Sequence, residues 1–210
     1  MGRSRVAKAE THDRIVQIAS ERFREAGLDG VSVADLMKEA GLTVGGFYKH
    51  FMTREDLVAE AMARGQGAWQ VRMAQASSDE EKPTIAELID RYLSAPHRDA
   101  PGRGCPAGAL VGEIARSGPQ IRALFTEGLK DTLELLIDRL RAAGNDADDA
   151  TLRRTAISIY SAMIGAIGVA RAVDDPALSE EIMRSTAAQI KTLALPPDEL
   201  RPESPPRQER

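Results

Sequence analysis

The 210-residue chain is short of several residue types, and each shortage excludes something. A single cysteine, Cys105, cannot close an internal disulfide or build a zinc-thiolate cluster. The three histidines, His12, His50 and His97, stand far apart in sequence. With no metal-ligand spacing elsewhere, neither a metal nor a cofactor is expected. The longest stretch free of charge, around residues 157–170, falls short of the ~18 apolar residues a membrane span needs, so no membrane contact is expected. Met1-Gly2-Arg3-Ser4-Arg5 leads into mixed charge rather than an apolar run, which predicts no secretory signal and a cytoplasmic location. Paired carboxylates, a phosphate-cradling loop and a Ser/His/Asp order are also missing. Gly102-Arg103-Gly104 is too short for such a loop and follows no strand, so no catalytic residues are expected. Formal net charge is −4, which on its own argues against a nucleic-acid partner.

Proline is absent before Pro83, and five of the eleven prolines fall in residues 196–206. Proline removes a donor and clashes with the preceding turn, so its absence permits long helices at the start of the chain. Its concentration predicts a disordered tail over residues 196–210. Between these ends the apolar spacing is helical. Ile15, Ile18, Ala19, Phe23 and Ala26 form one stripe, which Gly27 ends. Ser32 and Thr43 are suited to capping two short helices, and Thr53 with Asp56 resembles a capping box opening a long one to about residue 77. Further helices are predicted over residues 84–94, 106–117, 119–143, 149–173 and 179–195. The expected fold class is all-α with about nine helices. Residues 1–8 would form a basic arm, 9–52 a three-helix domain and 53–195 a second helical domain.

Within residues 33–51, two short helices are joined by Ala40-Gly41-Leu42-Thr43. Gly41 supplies a positive φ, Leu42 plugs the corner and Thr43 caps the next helix, the combination a helix-turn-helix requires. Phe47 and Phe51, four apart with Val44 close by, would pack on the first helix. Tyr48, Lys49 and the Thr43–Gly46 end would face outward, where hydroxyl and ammonium groups can meet phosphates and base edges. Gly45-Gly46 costs about 2 kcal/mol of helix propensity relative to alanine, a loss that a helix serving only as core filling would not need.

Residues 11–57 resemble the DNA-binding domain of the TetR (tetracycline-repressor-like) transcriptional regulators. The resemblance is carried by Arg14-Ile15, Ala19, Phe23, Gly27 and Gly30-Val31-Ser32-Val33, then Ala40-Gly41-Leu42-Thr43, Phe47-Tyr48-Lys49-His50-Phe51 and Thr53-Arg54-Glu55-Asp56-Leu57. It implies a three-helix DNA-binding domain followed by a helical ligand-binding and dimerisation domain. It implicates Ser32, Thr43, Val44, Gly46, Tyr48, Lys49, His50 and Arg54 in binding double-stranded operator DNA, probed as a palindrome by a homodimer. One departure is Met37, where the family commonly has alanine at a helix contact.

Residues 1–60 hold nine Lys/Arg and ten Asp/Glu, so placement rather than total charge must serve the reader. Arg3, Arg5 and Lys8 would precede the first helix as a flexible arm able to follow a phosphate backbone or enter a minor groove. The pair of helices at 149–173 and 179–195 is the expected dimer surface, with Ser161, Ala162, Gly165 and Gly168 permitting close approach. Trp69, Tyr92, Phe125 and Tyr160 are candidate walls for a small-molecule effector of unspecified identity, with Met62, Met73, Leu88, Leu110, Leu129 and Met163 as further apolar candidates. Cys105 precedes Pro106 at the expected start of a helix. There the helix end and Arg103 or Arg98 would lower its pKa and suit it to sensing oxidants or electrophiles, whereas a buried thiol would be inert. The main alternative function is a helical small-molecule- or partner-binding protein that does not read DNA.

Overall fold

The computed structural model describes residues 2–74 and 82–194; the tail expected at 196–210 lies outside them. Among the described residues there are nine α-helices, two 3-10 helices and no strands. The helices are α1 (Gly2–Ala26), α2 (Val33–Glu39), α3 (Arg54–Ala74), α4 (Ile85–Tyr92), α5 (Ala95–Asp99), α6 (Pro106–Ile114), α7 (Pro119–Ala142), α8 (Asp149–Ala172) and α9 (Pro176–Ala194). One 3-10 helix, Val44–Lys49, follows α2, and the other, Pro101–Arg103, follows α5.

Most helix starts follow from local chemistry. Ser32 with Asp35, Thr53 with Asp56 and Thr84 with Glu87 form reciprocal side-chain and backbone hydrogen bonds. Asp148 accepts from the Thr151 amide at the start of α8. Pro106, Pro119 and Pro176 each open a helix, because the first turn has no use for their missing N–H. The short α5 and the second 3-10 helix were not expected. Pro96 and Pro101, which punctuate the sequence, sit in their first turns instead of between helices.

Two further expectations need correction. The basic arm is absent: α1 already begins at Gly2, and exposed Arg5 and Lys8 ride on its first turns. Residues 5–10 contain good helix formers and no breaker, so nothing separates them from the apolar stripe that follows. The third helix of the first domain is 3-10 in form, as its two adjacent glycines make a regular α-helix costly.

The core has two parts. Ile15, Ala19, Phe23, Leu36, Met37 and Phe47 fill the first, between α1, α2, the first 3-10 helix and the start of α3. Leu110, Ile114 and Ile121 reach into it from α6 and α7. The second part lies among α3, α4 and α6–α9, centred on Leu88, Ile89, Leu140, Ile159 and Ile167. Helix α3 runs through both, with Leu57 in the first and Trp69 in the second. Helix α8 is long and apolar enough to cross a membrane, but it serves as a core helix, with Leu152, Ala156, Ile159 and Ile167 at most 1% exposed.

Candidate nucleic-acid interface and pocket

The turn between α2 and the 3-10 helix depends on Gly41, whose φ of +70° is strained for any residue with a side chain. It aims the 3-10 helix outward while Phe47 and Phe51 anchor it. These rings lie 5.3 Å apart and are 2% and 3% exposed, and His12 of α1 stacks on Phe51 at 4.6 Å. Leu42 is half-buried against the same core. Met37 is fully buried and its methyl end faces the open side of Gly46, so the departure from alanine is accommodated by close packing.

The eight residues implicated in DNA contact fall into two groups. Thr43, Val44, Tyr48 and Lys49 are exposed, with half-buried Gly46 among them. Thr43 holds the N-cap position with no hydrogen bond from its side chain, leaving the hydroxyl uncommitted to the cap. Ser32 is exposed too, but its hydroxyl is committed to the cap of α2, while His50 and Arg54 are half-buried. The Ser32 hydroxyl donates to the Asp35 carboxylate at 2.5 Å, which holds that carboxyl below the usual range. The Arg54 guanidinium turns inward, donating to the carbonyls of Leu28 and Val31 with its head 5.6 Å from the Phe23 ring. His50 is half-buried, and its Nδ1 has no hydrogen-bond partner. Burial, then the nearby His12, Lys8 and Lys49, lowers its pKa. Sequence spacing brought all eight to one end of the molecule, but it could not tell a side chain that faces out from one that folds back.

A narrow cavity of about 30 Å³ opens in the second core, so an occupant larger than a water or two must spread its walls. Trp69 and Met73 come to it from α3, Leu88 and Tyr92 from α4, and Tyr160 and Met163 from α8. Cys105 lines it at the start of α6, while Gln66, Gln70, Thr132, Leu135 and Leu136 complete the wall from α3 and α7. Of the sequence candidates, Trp69, Met73, Leu88, Tyr92, Cys105, Tyr160 and Met163 meet here. Phe125 does not, because it packs between the two cores, and Met62 and Leu110 belong to the first core. The amides and Thr132 were missed, since polar residues on a helix face carry no periodic signal.

His97 was also missed as a partner of this wall. Its ring stacks on Trp69 at 4.5 Å and meets Tyr92 edge-on at 4.6 Å. The ring Nδ1 lies 2.6 Å from the Tyr92 carbonyl and Nε2 lies 3.0 Å from the Cys105 amide. A carbonyl can only accept and an amide N–H can only donate, so these partners select the neutral ring protonated on Nδ1. Burial accordingly drives the His97 pKa down to about 4, with the charges of Arg171 and Arg72 acting in the same sense and the Tyr92 hydrogen bond opposing them.

Cys105 does take the N-cap position of α6, but its thiol is 3% exposed and burial pushes its pKa up. The Gly108 backbone, the Tyr92 hydroxyl and the Ala107 backbone pull the other way and are outweighed. Of the two readings of Cys105, desolvation supports the inert buried thiol over the low-pKa sensor, and the cation acting on it is Arg171 rather than Arg98 or Arg103.

Several polar contacts fasten the two parts of the molecule. The Leu28 amide donates to the Glu113 carboxylate of α6 at 2.7 Å, beside Gly27 with its φ of +83°. Buried Arg24 of α1 donates to the Gly102 carbonyl, and Ser20 of α1 donates to the Ala61 carbonyl of α3 at 2.7 Å. Thus α6 starts in the cavity wall and ends on the first domain.

Comparison with known proteins agrees with this architecture. Residues 15–61 match the family model described as bacterial regulatory proteins, tetR family, and residues 83–185 match that of the transcriptional regulator LmrA/YxaF-like C-terminal domain. The HTH-type transcriptional repressor KstR2 of Mycolicibacterium smegmatis is 33% identical over 54 residues, which is 26% of each chain, so the match spans about a quarter of that repressor. Among solved structures, E. coli NemR in its reduced form superposes with a TM-score of 0.71 at 19% identity, covering 87% of this chain and 96% of that one. A TetR-family regulator from Cytophaga hutchinsonii gives 0.71 at 22% identity, covering 89% and 96%. With both of its parts matched in order, the chain belongs to the TetR family and is a helix-turn-helix DNA-binding transcriptional regulator.

Proposed function

We propose that the protein acts as a homodimeric repressor, not an enzyme, that holds a palindromic operator until a small molecule fills the α3–α7 cavity. The observation that carries this reading is the outward row Thr43, Val44, Gly46, Tyr48 and Lys49 on a rigidly anchored 3-10 helix. These five residues meet the DNA, while Ser32, His50 and Arg54 hold the reader in shape. One such row reads little sequence alone, and pairing two half-sites about 34–36 Å apart supplies the rest. Support for the pairing comes from the outer face of α8 and α9. Ile157, Val169, Leu178 and Leu193 are 42–51% exposed there, beside exposed Ser161, Gly165 and Gly168.

Release follows from helices that serve both parts. An occupant pressing on Trp69 displaces α3, and one pressing on Cys105 displaces α6, which carries Glu113 and its hold on Leu28. The two readers then leave major-groove spacing. Such coupling requires the occupant to bind the two arrangements with different affinity. The burial of Cys105 favours a non-covalent occupant over thiol chemistry. The test is a gel shift with DNA from the region upstream of the protein's own gene. Specific, salt-sensitive retardation is expected, and its complete absence would favour a binding module that does not read DNA.

A further inference from the structure

We infer that the occupant of the α3–α7 cavity is an uncharged, largely apolar molecule bearing a hydrogen-bond acceptor, such as a ketone or ester carbonyl, that meets the Tyr92 hydroxyl. This inference rests on the reading of that cavity as the effector site. No side chain in the wall is ionic: the polar members are Gln66, Gln70, Thr132, Cys105 and the two tyrosines. Tyr92 is 2% exposed, and among the described residues its Oη is the one buried side-chain polar atom in this wall that makes no well-formed hydrogen bond, its polar contact being the weakly accepting Cys105 thiol. Burial keeps both phenols and the thiol protonated, so Tyr92 has a proton to donate and nothing in the wall supplies a charge.

The surrounding groups that could have welcomed an ion are already engaged. Both nitrogens of neutral His97 are used by the Tyr92 carbonyl and the Cys105 amide. Of the cations behind this wall, Arg171 donates to the carbonyls of His97, Arg98 and Gly108, and Arg72, 5.9 Å from the Trp69 ring centroid, donates to the Arg103 carbonyl. Gln66 donates to the Gly128 carbonyl and to Thr132, whose hydroxyl donates to that same carbonyl. A carboxylate or an ammonium entering the cavity would lose its hydration and find no counter-charge. A neutral oxygen acceptor instead gives the Tyr92 hydroxyl a stronger partner than the thiol, and a site with such an underused donor discriminates against molecules that cannot accept from it.

Trp69 is the single tryptophan of the chain and lines the cavity, so its emission reports occupancy directly. The experiment titrates the full-length protein with methyl hexyl ketone, octanoate and octylammonium, chains of matched size and different charge. The ketone is expected to shift Trp69 emission saturably, with both ions weaker by roughly tenfold or more. Tyr92→Phe, which removes the hydroxyl and its weak contact with the Cys105 thiol, should keep the fold by circular dichroism and weaken the ketone by roughly tenfold. Octanoate or octylammonium binding as tightly as the ketone, or an unchanged ketone affinity in Tyr92→Phe, would overturn the ligand class while leaving the cavity as an effector site. Silence of Trp69 towards all three probes would overturn the cavity reading itself, and this inference with it.

Discussion

Along the DNA-facing 3-10 helix, Tyr48 is 75% and Val44 50% exposed, whereas Trp69, Tyr92 and Cys105 in the cavity wall are all 7% exposed or less. The first surface is shaped by residues adjacent in sequence: the Ser32 and Thr53 capping boxes, the Gly41 turn and the Phe47–Phe51 anchor. The second is assembled by five helices that contribute one to four residues each. A reader built this way can lose its chemistry without losing its fold. A cavity wall that is also core cannot.

The largest effect expected from this contrast comes at the anchor. Phe47→Ala should cost about 3–5 kcal/mol by urea denaturation and abolish DNA binding. Its exposed neighbour Tyr48→Ala should move stability by less than about 0.5 kcal/mol while still weakening DNA binding. Similar stability losses in the two variants would erase the distinction between anchor and reading face.

Next in size is a pH effect confined to the cavity side. The folded protein keeps His97 neutral down to about pH 4, whereas the unfolded chain protonates it near 6.5. Its contribution to stability is therefore complete above pH 6.5 and falls away as pH drops towards 4, by up to roughly 3 kcal/mol. His97→Gln should flatten that part of the denaturation profile, and an unaltered profile would remove His97 from the account.

The fastening between the two parts gives a smaller effect with a sharper signature. Glu113→Ala strands the Leu28 amide and should lower stability by about 1–3 kcal/mol. More tellingly, DNA and cavity probe should both still bind, but the probe should no longer release the DNA. Release that persists at wild-type probe concentration would move the coupling to α3 alone. Smallest is Ser32→Ala, expected to cost about 1 kcal/mol through the lost cap of α2. If it instead cost DNA affinity with no change in melting, Ser32 would belong to the reading face.

How much of this was legible in advance follows the same divide. The turn, the caps and the aromatic anchor could be read from residues 32–56 because each depends on neighbours within about four positions. The 3-10 form of the reader was foreshadowed by Gly45-Gly46, yet propensity alone does not choose between helix types. Arg54 illustrates what local sequence withholds: its reach to the Leu28 and Val31 carbonyls spans 26 and 23 residues. His97 was invisible for the same reason. Its partners Trp69 and Tyr92 lie on α3 and α4, and no pattern in the intervening residues pairs them. Cys105 was placed correctly at its helix start, but whether the helix dipole or burial governs its thiol is decided only by packing.

The central claim is that the exposed row from Thr43 to Lys49 binds DNA through few charges on a chain that is acidic overall. Fluorescence anisotropy of the full-length protein on its upstream DNA, across a salt series and for wild type and Lys49→Ala, tests it most directly. The account predicts specific binding that weakens with salt, with a slope reflecting only a few phosphate contacts per subunit. It predicts that Lys49→Ala lowers that slope by about 1 per subunit at unchanged melting temperature. A steep wild-type slope corresponding to about ten or more contacts per subunit, or a Lys49→Ala variant indistinguishable from wild type, would contradict it.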